Sequence, residues 1–470
     1  MYKYKMSRCL TLLIAIAAIG LSSCHTYKNL VEPPTVDTQG IVRDGESNAD
    51  TTTIADIPWR EYFPDSKLQA LIAEGLEKNI NLQIAVVRIK QSEASLGTAR
   101  AAFLPSVSVG GQINHTRMSS GANGTDVLGY STNQNTLGFS ASWEIDLWGK
   151  LSSQSKAKYA SYLSSHAYRN LVQTSLVANV ANAYYSLLAL DEQLRITKET
   201  VALLQKSAET MLALKESGQQ NAAAVEQSNA LLYGTQLLIP KLENQIRKQE
   251  NAICFLLGRN PGVVERTSIV DQNVPARLAC GVPMQLLAKR PDVKQAELSF
   301  RSAYALTNAA QASMYPSLTI SAASFGLASG YFSDFFKPAN IAANVVAGIT
   351  QPIFNKKQLR NNLKIAQAQQ EEALLSFRNT VLAAGQEVSD IMYGYQTSLN
   401  KNEYRGDQIK SLTNAVDYTQ ELLKAGEANY TEVLSAQQSL LSAQLSRVDE
   451  KLEQLTYSVS LYKALGGGTK

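Results

Sequence analysis

Few residues of this 470-residue chain are equipped for chemistry, and their spacing narrows the choice further. The three histidines, His25, His115 and His166, are too far apart to write HExxH or any other His-based metal motif. The four cysteines, Cys9, Cys24, Cys254 and Cys280, fit no CxxC pattern. Cys254 and Cys280 suit either one disulfide in an exported protein or two unpaired thiols in packed surroundings. There is no GxSxG nucleophile elbow and no P-loop. Gly466-Gly467-Gly468-Thr469-Lys470 is like a phosphate loop only superficially, since no helix follows it to supply a dipole. The expectation is a protein that is not an enzyme and that needs neither metal nor cofactor.

Cys24 carries a different chemistry. Lys3, Lys5 and Arg8 precede an apolar run from Cys9 to Leu21 that is too short to cross a bilayer comfortably. The run ends in Leu21-Ser22-Ser23-Cys24, the pattern of a bacterial lipobox. Small residues admit a peptidase to the backbone, and the thiol becomes the acyl anchor. Residues 1–23 are therefore expected to be a lipoprotein signal peptide, with a covalent lipid on Cys24. Residues 24–57 read as a polar, lipid-anchored linker containing Pro33-Pro34.

The elements that follow are long helices and a few strands. Hydrophobic residues make up 45% of the chain but aromatic ones only 7%, which suits closely packed helices. A net charge of +4, from interspersed basic and acidic residues, gives no footprint for nucleic acid. No Gly or Pro interrupts Leu151 to Glu216. A helix of that length spans about 100 Å at ~1.5 Å per residue. Gln358 to Ala425 reads similarly, broken only by Gly385, Gly394 and Gly406. Leu434, Leu441, Leu445, Val448, Leu452, Leu455, Val459 and Tyr462 keep a seam of coiled-coil period.

Four segments alternate with period two, at about 105–116, 135–148, 316–327 and 341–354. In the second, Leu137, Phe139, Ala141, Trp143, Ile145 and Leu147 alternate with Gly138, Ser140, Ser142, Glu144 and Asp146. An apolar and a polar face suit a strand between lipid and a wet lumen. That reading puts Ser142, Glu144 and Asp146 in a barrel lumen. Four strands fall short of the roughly eight that small closed barrels use. An open sheet edge in lipid is prohibitive, so further copies must complete the barrel.

The chain also echoes itself. Ala101-Ala102-Phe103-Leu104-Pro105-Ser106 matches Ala312-Ser313-Met314-Tyr315-Pro316-Ser317. Gly218 with Val225 matches Gly426 with Val433, and Leu257-Gly258 matches Leu465-Gly466. The expected repeats are 58–260 and 291–466, joined by a linker at 261–290 and followed by a tail at 467–470.

Trp59, Phe63-Pro64-Asp65 and Leu68, then Trp143-Glu144-Ile145-Asp146-Leu147-Trp148-Gly149, Arg290-Pro291-Asp292-Val293, and Gly426 with Val433-Leu434-Ser435-Ala436-Gln437 together carry a resemblance. The chain resembles the TolC/OprM-like outer-membrane efflux proteins, in their lipoprotein branch. The resemblance implies a mainly α fold with a membrane β-barrel. Four transmembrane strands per protomer would form a trimeric twelve-stranded barrel continuous with a coiled-coil α-barrel. It implies a homotrimer in the outer membrane of a Gram-negative bacterium, contacting outer-membrane lipid, with a periplasmic tunnel. It also implies a periplasmic adaptor and an inner-membrane pump of the RND type, which would deliver small molecules such as drugs or toxic compounds. The adaptor-contacting tips fall at Gly218 and Gly426, and the periplasmic gate at Thr431, Glu432 and Ser435. The charged and hydrogen-bonded partners that lock the TolC-type closed state fall at Ala224, Leu423 and Ala428, so a closed state here must rest on packing or other contacts. A type I protein-secretion channel shares the same physics. A non-conducting envelope tether would lack the membrane strands.

Overall fold

The computed structural model describes residues 54–117, 131–273 and 289–469, which belong to one compact unit. Three helices open it: α1 (Trp59–Tyr62), α2 (Ser66–Lys78) and α3 (Ile80–Ala101). Strands β1 (Ser106–Arg117) and β2 (Ser131–Ile145) follow, then α4 (Lys150–Glu216), α5 (Ala222–Gln236) and α6 (Leu238–Leu256). The second half holds α7 (Pro291–Ala312), β3 (Ser317–Ser329), β4 (Ile341–Thr350), α8 (Gln358–Lys424) and α9 (Tyr430–Ala464).

The two uninterrupted stretches are single helices, α4 and α8, of 67 residues each. The return limbs differ. α9 runs unbroken, whereas α5 and α6 are separated at Leu237, three residues before Pro240. Proline there lacks the amide that a continuous helix would use.

The main core lies at the middle of α4. Leu176, Val180, Tyr184, Leu187 and Leu188 are buried against Trp59, Phe63, Leu68 and Ile72 of the opening segment, and against Ile253 and Leu257. Val448, Leu455, Val459 and Tyr462 of α9 complete it. Asp65 fixes the start of α2 by accepting from the Lys67 and Leu68 amides. Its second oxygen accepts from the Tyr184 hydroxyl at 2.8 Å and from Gln272 at 2.8 Å. The opening segment is also clasped to the last helix. Tyr62 stacks on Tyr462 at 4.2 Å, and Tyr462 donates to the Ile57 carbonyl at 2.8 Å.

The four strands form one antiparallel sheet in the order β1-β2-β3-β4. Its registers align like with like. Leu137 lies between Gly111 and Leu327, and Ile320 between Trp143 and Ala347. Leu318 lies between Ile145 and Ile349. On the other face Ser142 lies between Ser106 and Ser321, and Thr319 between Glu144 and Gly348. Gly110, Gly138 and Gly326 form a row across three strands, and a Cβ on Gly326 would collide with the Leu137 carbonyl oxygen. Such close backbone approach lets a sheet curve sharply. The weaker alternation of the third segment has a cause: β3 carries one extra residue between Ala322 and Ser324. Leu318 and Ile320 sit at even positions and Leu327 at an odd one, because a bulge reverses parity.

The apolar face is bare. Val107, Val109, Ile113, Phe139, Val345 and Ile349 are all exposed in the isolated protomer. Single cysteines at Ser142 and Ser140 should react with polar thiol reagents in lipid-reconstituted protein, whereas cysteines at Ala141 and Phe139 should stay protected. The reverse pattern would mean a register one residue off.

Candidate functional site: the strand-to-helix corner and the helical tips

The segment from Trp143 to Lys150 is the joint between sheet and helix. β2 ends at Ile145, so Asp146, Leu147 and Trp148 lie beyond the strand. Asp146, expected in a barrel lumen, thus lies one residue past the end of β2. Its two carboxylate oxygens accept from the Leu151 and Ser152 amides at 3.0 and 2.9 Å, at the N-terminus of α4. Free amides and the helix dipole favour a carboxylate there. Gly149 takes φ 72°, a left-handed conformation that turns the strand into the helix. Ser142 and Glu144 are on the hydroxyl-bearing face of β2, and Glu144 pairs with Lys150 at 2.9 Å. Strand alternation does not show that partner, because the turn folds Lys150 back over six residues. The two indoles secure the joint. Trp143 donates to the Phe103 carbonyl at 2.8 Å and Trp148 to the Pro316 carbonyl at 2.7 Å.

Arg290 is a second structural centre. Buried in the protomer, it donates to both oxygens of Asp292, to Glu387 at 2.7 Å and to the Ala464 carbonyl at 2.7 Å. One side chain thus ties α7 to α8 and to the end of α9. Burial would raise the Asp292 carboxyl, but Arg290 and the Val293 amide hold it below the usual carboxylate range. Burial likewise opposes ionisation of Asp65, and hydrogen bonds from Thr267 and Tyr184 hold it low. The spacing Arg-Pro-Asp signals only a helix start; the partners in α8 and α9 come from distant sequence.

The tips sit at the far ends of α4 and α8. Gly218 and Gly426 adopt φ 77° and 75°. At each, the following amide reaches back to a carbonyl five residues earlier, Gln219 to Leu214 and Glu427 to Leu422, both at 2.9 Å. This is the Schellman closure that glycine favours. Asn221 and Asn429 then cap the return helices. Thr431, Glu432 and Ser435 are exposed on the first turns of α9. Beside them, Tyr430 and Val433 are buried with Met211, Ala224 and Val225, and with partly buried Leu214, Leu423 and Leu434. Ala224 and Leu423 therefore meet in an apolar cluster joining the two tips of one protomer. Tyr430, which the sequence reading passed over, is its largest member.

Cys254 is a free, buried thiol facing the Gly262 carbonyl at 3.4 Å, and Cys280 lies outside the described residues. Cys24 and the linker to residue 53 also lie outside them. Among the described residues, no His, Cys, Asp or Glu cluster could hold a metal ion.

A half-apolar open sheet set on two very long helices is the architecture of a membrane channel subunit with a helical tunnel. Residues 71–259 and 282–467 match the outer membrane efflux protein family, and the chain belongs to it. It is 31% identical to the pyoverdine export outer membrane protein OpmQ of Pseudomonas putida, over 96% of each chain. It is 27% identical to the cation efflux system protein CusC of Escherichia coli K12, covering 98% of this chain and 100% of that one. Among solved structures, the outer-membrane channel OprN superposes with a TM-score of 0.85 at 23% identity, over 94% of this chain and 99% of that chain. A CusC structure gives 0.80 at 26% identity, over 91% and 99%. The protein is an outer-membrane efflux channel with a periplasmic helical tunnel, of a family whose members are channels rather than enzymes.

Arg290→Met should destabilise the protein by about 3 kcal/mol, because it leaves Asp292 and Glu387 without their buried partner. Because Asp292 and Asp65 have lowered pKa values in the folded chain, their stabilisation is present above the ordinary carboxylate range. It is lost as pH falls through the lowered folded values. Thermal melts should show acid destabilisation that Asp292→Asn reduces; an unchanged acid limb in that variant would remove Asp292 as a contributor.

Proposed function

We propose that three copies of this chain close a twelve-stranded barrel and a helical tunnel, the exit duct of a tripartite system that exports small molecules. The observation that carries this reading is the sheet itself. It has a bare apolar face, a hydroxyl-bearing face, and outer edges on β1 and β4 with no strand partner among the described residues. In lipid such edges must be paired by neighbouring copies. Exposed apolar residues along the long helices, including Leu203, Leu212, Leu375 and Leu382, suit burial between the same copies.

An internal duplication underlies the ring. Supporting it, Gly258 and Gly466 both take positive φ, and a Cβ on each would clash with a helix-entry carbonyl, Lys78 at 2.6 Å and Lys289 at 2.8 Å. The tip turns at Gly218 and Gly426 are the docking points for a periplasmic adaptor, which connects the duct to an inner-membrane pump of the RND type. The relatives' names cover pyoverdine export and cation efflux, which favours small-molecule cargo over protein. Cys24 carries the lipid anchor, a reading supported by a relative described as a probable outer membrane lipoprotein, SilC. Mass spectrometry of the mature N-terminus with Cys24 unmodified would dismiss it.

Glu432, with Thr431 and Ser435, forms the gate. Three copies of Glu432 would gather like charge that a hydrated cation can bridge. The purified protein should migrate as a heat-modifiable trimer and conduct in planar bilayers. Glu432→Ala should weaken cation selectivity or divalent block without loss of assembly. A monomer that forms no pore would overturn the duct, and an unaltered response in the variant would place the constriction elsewhere.

A further inference from the structure

Four cations stand together where β4 passes into α8. Lys356, Lys357, Arg360 and Lys364 are all exposed, and among the described residues none of them forms an ion pair. No Asp or Glu occurs between Asp334 and Glu371 to balance them. The corresponding joint after β2 is different, since Glu144 neutralises Lys150 and Asp146 caps the helix. Positions 357, 360 and 364 recur with helical spacing, so these cations share one side of the first turns of α8. The placement opposes local preference twice. Cations are disfavoured at the positive end of a helix dipole. Lys356 and Lys357 also hold φ 42° and 63°, where the first joint uses glycine.

Immediately before the cations, Ile353 and Phe354 are 98% and 87% exposed. They prolong the bare apolar line of Ile341, Val345 and Ile349 past the end of β4. One indole marks the same level. Trp148 bonds to Pro316, next to Ser317, and Ser317 pairs with Thr350 at the end of β4. Tryptophan favours the boundary between hydrocarbon and headgroups. Exposed apolar residues at that boundary and unpaired cations just beyond it match an anionic phospholipid, acyl chain first and phosphate after.

We propose that this corner binds anionic phospholipid headgroups of the periplasm-facing leaflet. Ile353 and Phe354 enter the acyl region, while Lys356, Lys357, Arg360 and Lys364 hold the phosphates. The proposal rests on the reading of the sheet as a membrane barrel.

The test is native mass spectrometry of the assembled protein released from nanodiscs of phosphatidylglycerol and phosphatidylcholine in equal amounts. Wild type should retain phosphatidylglycerol in preference. Combined Lys356→Gln, Lys357→Gln, Arg360→Gln and Lys364→Gln should reduce that retention at least about tenfold, given the attraction of each basic residue to an anionic surface. Ile353→Ser with Phe354→Ser should lower retention of both lipids. Equal retention of the two lipids by wild type, or unchanged retention in the neutralised variant, would overturn the proposal. So would a change confined to the ion selectivity of the pore, which would turn the cations toward the lumen. Planar-bilayer conductance of wild type separates the two readings: no conductance removes the barrel and the lipid site together, whereas normal conductance without lipid preference removes the lipid site alone.

Discussion

The backbone of a strand must have every amide and carbonyl satisfied before it can enter hydrocarbon, and the four-stranded sheet meets that condition only in its interior. β2 and β3 are paired on both sides; β1 and β4 are paired on one. Leaving the outer rows unpaired in lipid costs several kcal/mol per group. The apolar residues do not resolve this by folding inward, because among the described residues nothing covers Val107, Val109 or Ile349. Much of the remaining architecture serves to hold an incomplete sheet in a geometry that can be completed.

The two strand-to-helix joints transmit that geometry to the helices. At the first, the Trp143 and Trp148 hydrogen bonds, the Asp146 cap and the left-handed Gly149 fix where α4 leaves the sheet. A helix of 67 residues acts as a lever about 100 Å long, so small rotations at the joint would become large displacements at Gly218. Mid-way along, the core around Tyr184 and the clasp of Tyr62 on Tyr462 hold the lever against the opening segment and the last helix. Arg290 does the same for the second half by gathering α7, α8 and α9 onto one guanidinium.

At the far end the constraint is weaker in kind. The tips are joined by apolar packing of Met211, Ala224, Val225, Tyr430 and Val433, with exposed Thr431, Glu432 and Ser435 interleaved on α9. Burial without a directional ion pair allows side chains to slide and repack, whereas a charged lock fixes one geometry. That contrast separates the membrane end, held by hydrogen bonds of defined direction, from the tips.

Local sequence determined those features that depend on period and punctuation. The absence of Gly and Pro from Leu151 to Glu216 defined a single helix, and alternation defined β2 and its two faces. The glycines at 218 and 426 marked the reversals, because left-handed φ is nearly theirs alone. Tertiary structure decided the rest. The bulge at Ala322–Ser324 reversed the parity of β3, which period two cannot foresee when one residue goes unpaired. Asp146 left the strand pattern to cap α4, Glu144 acquired Lys150, and Tyr430 emerged as the anchor between the tips. Each of these depends on partners that the chain path brings together. Periodicity records which face a residue occupies, and only the fold decides what that face meets.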